Sequence, residues 1–166
     1  MEIRDSINSF LKQNGYTIAP VTIDNSEWIF SAAYDKAAEK DSLELMRKIG
    51  SEYLKYMNAK FEYYEGRCKE LFGRNISQIL LIHANRLNSD YFGKLCEMIR
   101  LRRYQFVTLD EALQDKAYET KETFVKNNGI SWIDRWALTA GKKGEFFKDE
   151  PRTPAYIMKI AGVDSE

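Results

Sequence analysis

The sequence holds a single histidine, two cysteines and three prolines. One histidine rules out a metal site built on two imidazoles within this chain. Cys68 and Cys96 lie far apart, without metal-ligand spacing, on segments that read as helices, so a zinc knuckle and a disulfide framework are both set aside. They read as small core residues. There is no excess of charge: 25 basic and 25 acidic residues cancel, which argues against a broad electrostatic nucleic-acid footprint. No apolar run approaches the roughly 20 residues needed to span a bilayer. The first residues enter an amphipathic pattern at once and show no signal peptide, which leaves the compartment unknown. A P-loop, a dinucleotide fingerprint, a nucleophile elbow and internal repeats are absent as well.

What is present is one domain's worth of chain. The 166 residues are 44% apolar and 13% aromatic, enough for a sizeable core, and 1–166 reads as a single domain. Helical spacing of Ile3, Ile7, Phe10 and Leu11 predicts a first helix that stops at Gly15. Residues 18–23, rich in β-branched side chains, read as a strand despite Pro20, and end in Asp24-Asn25-Ser26-Glu27-Trp28. A helix follows over about 26–38. From 42 to 72, Met46, Gly50, Tyr53, Met57, Phe61, Tyr64, Cys68 and Leu71 step by three or four, the stripe of one long amphipathic helix. Residues 89–102 predict another helix, capped by Asn88 or Ser89. Residues 106–109 read as a strand, and 110–115 as a short helix. From 116 to 166 the pattern is irregular, with short helices around Trp132–Trp136 and over 155–160.

The chain is organised around Gln78-Ile79-Leu80-Leu81-Ile82-His83-Ala84-Asn85. A short unbroken apolar run suits a strand buried on both faces. It stops at the only imidazole, which would then stand at the carboxyl end of the strand, where α/β folds bind ligands. Strands alternating with helices point to parallel β-α-β units.

Four stretches in order resemble the polysaccharide deacetylase (NodB-homology) family. Residues 15–24 with Glu27-Trp28 resemble its fourth motif, and Leu81-Ile82-His83 its leucine-any-histidine motif. Residues 103–113 resemble the strand and helix that close the domain, and 129–132 with Arg135-Trp136 the tail of one bacterial branch. The resemblance implies an α/β fold, the carboxyl-terminal part of a distorted (β/α) barrel with a long helical insertion. It implies hydrolysis of N- or O-acetyl groups on a carbohydrate polymer, with zinc or another divalent metal in the complete domain and His83 as the acid that protonates the leaving amine. Family members often act on cell-envelope glycans.

The amino-terminal motifs of that family, an aspartate pair and a histidine pair, are missing here, so the chain reads as an incomplete fragment that holds no metal and is inactive alone. Asp24 and Glu27 are both candidates to orient His83. Trp28, Leu81 and Asn85 are the candidate substrate contacts. The expected partners are an acetylated glycan and the missing half, or another chain, along an open sheet edge. Two alternatives stand beside this reading: a non-catalytic carbohydrate-binding remnant, and a module that pairs with other proteins through the long helix.

Overall fold

The computed structural model describes residues 3–126 and 129–166. The helices run α1 Ile3–Gln13, α2 Glu27–Ala38, α3 Leu43–Phe72, α4 Arg86–Leu101, α5 Leu109–Ala112, α6 Trp132–Thr139 and α7 Ala155–Ala161. Two 3-10 turns, Lys116–Glu119 and Gly144–Phe147, separate the last three. α2 packs on α3, α4 and α7, and α3 also packs on α4 and α6.

The spine is α3. Its buried side carries Ile49, Gly50, Tyr53, Tyr56, Met57, Phe61, Tyr64 and Cys68, the stripe expected from the spacing, with Met46 and Leu71 packed at its margins. That face is therefore internal and offers no free surface to a partner. The helix stops at Gly73, whose φ of 70° is a left-handed conformation that glycine adopts without steric cost. Gly50 sets how closely α4 approaches: a Cβ there would lie 2.0 Å from Cζ of Tyr91. Both cysteines are buried and unpaired, and burial pushes the Cys68 thiol up to about 11.

The parallel (β/α) barrel is not what the chain forms. Among the described residues there is no strand, and the expected sheet shrinks to one isolated parallel bridge, Ile23 with Leu80. The reason lies in where the backbone groups go. The carbonyl of Ile79 accepts from both Thr22 N and Ile23 N, at 2.9 and 3.0 Å. The Ile79 N–H donates to the Thr22 hydroxyl at 2.7 Å instead of to a carbonyl. The carbonyl of Leu81 accepts from the Asn25 side chain at 2.8 Å. Polar side chains thus take the partners that a ladder would use, and Pro20 has no donor to give. Nor is the run 79–82 buried on both faces: Leu81 is 41% exposed. The third expected strand, 106–109, is pre-empted at its end. Thr108 and Glu111 close a capping box that starts α5 at Leu109, and Phe106 and Val107 stay exposed.

The irregular tail is woven into the core. Ser131 caps α6 and donates its hydroxyl to Thr22 O at 2.7 Å, while Trp132 N donates to Val21 O at 2.8 Å. Trp136 is buried between Phe72 and Tyr118, edge-on to both. Trp132 sits beneath the Arg135 guanidinium, 4.1 Å from its ring centre.

Candidate functional site

The loop before α2 is built by its own side chains. Asn25 accepts from Glu27 N at 3.0 Å and donates to Leu81 O, clamping the start of α2 to the segment that leads to His83. Ser26 N donates to the Tyr56 hydroxyl at 2.8 Å. Glu27 opens α2, where the helix dipole favours a negative charge.

Glu27 is 1% exposed, and it is His83, with a side chain 59% exposed, that it meets. Nδ1 of His83 lies 2.8 Å from Glu27 Oε2. An ionised carboxylate only accepts, so Nδ1 carries the proton and donates, and Nε2 is the nitrogen left for chemistry. The other carboxylate oxygen, Oε1, accepts from Asn88 Nδ2 at 2.8 Å and from Asn85 Nδ2. Asn88 Nδ2 also donates to His83 O at 2.8 Å, and its Oδ1 accepts from the Tyr53 hydroxyl at 2.8 Å. Burial and then the charge of Glu27 hold the Tyr53 phenol well above its ordinary range, so it remains a neutral donor.

Asn85 has a second task. It is the N-cap of α4, its side chain accepting from Asn88 N at 2.8 Å. The helix begins three residues earlier than the spacing suggested, with Asn85 in place of Asn88 or Ser89 as its cap. Beside His83 lies a depression of about 370 Å3, walled by Ile82, Asn85, Ser89 and Phe92.

The six residues expected from the sequence divide. Glu27, His83 and Asn85 come together. Of the two carboxylates left open, Glu27 holds the imidazole, and Asp24 lines a separate cavity with Lys60, Tyr64 and Asp134. Leu81 contributes its carbonyl to the Asn25 clamp. Trp28 is half exposed on α2. Asn88 and Tyr53 were missed. The Asn85-any-any-Asn88 spacing of a cap and its third helical residue was the signal for the first. Tyr53 was visible only as a member of the buried stripe.

The divalent metal implied by the resemblance does not fit these residues. Nδ1 of His83 and both oxygens of Glu27 are committed to one another and to the two asparagines. Asp24 sits in a different cavity, close to the Lys60 cation. Among the described residues no three histidine, cysteine or acidic groups converge to hold an ion. Set against family models, curated proteins and solved structures, the chain matches none of them.

Proposed function

We propose that His83, positioned by Glu27, is the general acid of a hydrolase that removes acetyl groups from a carbohydrate polymer, the water-activating part of the site coming from polypeptide outside this sequence. One observation carries the reading: an exposed imidazole anchored through Nδ1 by a fully buried carboxylate. That arrangement fixes the tautomer and ring orientation, and it neutralises the imidazolium when Nε2 is also protonated. In the reaction, water adds to the acetyl carbonyl, the C–N bond breaks, and Nε2–H gives its proton to the departing amine. Acetate and a free amino sugar leave. The depression against Phe92 offers an apolar wall for an acetyl methyl. Exposed Ile18, Leu81, Phe106 and Val107 offer surface to the completing polypeptide.

The test is amine release from an N-acetylated chito-oligosaccharide. The chain alone is expected to release none. Supplemented with a polypeptide carrying an aspartate pair and a histidine pair, it is expected to turn over, and His83→Ala to lower the rate by about 10²–10⁴, the usual contribution of a general acid. Turnover that His83→Ala leaves intact, or none in the supplemented mixture, overturns the proposal. So does metal-dependent turnover by the chain alone.

A further inference from the structure

A second cavity, of about 250 Å3, lies between the loop before α2, the middle of α3, α6 and residues 150–152, and does not include His83. Four carboxylates line it, Asp24, Asp134, Glu150 and Glu166, against two cations, Lys60 and Arg152. Two of the four are satisfied. Glu150 accepts from the buried Lys60 ammonium at 2.6 Å and from the Tyr64 hydroxyl at 2.9 Å. Glu166 accepts from Thr153 N and its hydroxyl at 3.0 and 3.1 Å. Asp24 and Asp134 have no ion-pair partner among the described residues. Among the described residues Asp24 accepts only from the adjacent Asn25 N, at 3.0 Å. Asp134 is 7% exposed, and its Oδ1 is sealed from solvent with no hydrogen-bond partner among the described residues.

A buried acceptor left without a donor is costly. Here α6 brings the Asp134 side chain to the wall of the same cavity that Asp24 lines, which sets the two carboxylates about one space. We propose that this cavity binds the ammonium group of a small, hydroxylated primary amine, of the size and chemistry of an amino sugar, between Asp134 and Asp24. An ammonium brings three donors and one positive charge, which suits two carboxylates that have no ion-pair partner among the described residues and a single donor, Asn25 N, between them. The volume falls below the roughly 300–1,000 Å3 of sites for drug-sized ligands, which limits the occupant to about one sugar ring. Ser26, Asn25 and Arg152 give the rest of the wall a polar character suited to hydroxyl groups. Burial, reinforced by the nearby Glu150 charge, lifts the Asp134 carboxyl to about 7, and burial lifts Asp24 as well. Both carboxylates therefore stand to gain from a cation.

The experiment is a titration of the chain with D-glucosamine, followed by amide chemical shifts, with N-acetyl-D-glucosamine at matched ionic strength as control. Glucosamine is expected to bind saturably, with shifts clustered on Asp24, Ser131 and Asp134, and the acetylated sugar to bind at least tenfold more weakly. Asp134→Asn and Asp24→Asn are each expected to weaken glucosamine binding at least tenfold, in variants whose spectra elsewhere match the parent. Equal binding of the two sugars, absence of saturable glucosamine binding, or variants within twofold of the parent overturns the assignment. The readout is binding to the chain alone. Failure of acetyl release would leave it untouched, and its own failure would leave the His83–Glu27 pair standing.

Discussion

Glu27 is a carboxylate taken almost wholly out of water, a placement that is strongly unfavourable unless every oxygen is hydrogen-bonded. Its donors are His83, Asn85 and Asn88, and Asn88 is the hub, tying Glu27 to the His83 carbonyl and to Tyr53. Asn88→Ala is expected to lower stability by about 1–3 kcal/mol, the cost of stranding buried polar partners. The same change should free the imidazole, read as averaging of the His83 ring signals. Urea midpoints and histidine NMR spectra check both, and an unchanged midpoint would contradict the network. Tyr53→Phe removes a single neutral hydrogen bond and should cost less, about 1 kcal/mol.

The elements that carry this network are positioned by contacts distant from it. α4 lies close against α3 because Gly50 has no side chain, and the Tyr91 ring fills the space, edge-on to Tyr34 at 6.0 Å. The Tyr34 hydroxyl donates to Asp90 at 2.7 Å, which ties α2 to the same turn of α4. Gly50→Ala places a methyl where the ring stands. Helix propensity alone would favour alanine, but the overlap should dominate, with a net loss of about 1–3 kcal/mol as the ring is forced off its rotamer. Thermal unfolding checks the sign. A stabilised Gly50→Ala protein would mean that α3 and α4 stand farther apart than described.

At the scale of the whole molecule, the cluster around Asp134 makes stability depend on pH. Its carboxyl is lifted from 3.8 to about 7 by burial and by Glu150, so the folded chain binds that proton more tightly than the unfolded one. The contribution is present in full below the unfolded value. It is lost as pH rises from about 4 through 7, at most on the order of 4 kcal/mol. Asp134→Asn, which cannot ionise, should therefore be more stable than the parent at pH 8 and close to it at pH 4. Urea unfolding at the two pH values checks this. A gain in stability paired with a loss of glucosamine binding would mark Asp134 as a residue kept for a ligand at the expense of the fold.

The long helix, its buried stripe and its stop at Gly73 were legible in the sequence, because a period of 3.6 and a left-handed glycine are local properties. So were α2 and α6. The sheet was not decided locally. Ile79-Leu80-Leu81-Ile82 has the composition of a buried strand, but a strand exists only where neighbours take its backbone groups. Here the side chains of Thr22 and Asn25 take several of them, leaving one bridge in place of a ladder. The choice of Glu27 over Asp24 was likewise tertiary. Both precede Trp28 within one turn of chain, and the Asn25 clamp with the placement of α4 turns one toward His83 and leaves the other in the cavity beside Lys60. Asp134 gave no sign in the sequence, sitting between Ile133 and Arg135 as an ordinary first-turn acid. It became a buried, unpartnered carboxylate when Ser131 and Trp132 docked onto the backbone of residues 21–22. That contact joins residues more than a hundred positions apart, which no local pattern encodes.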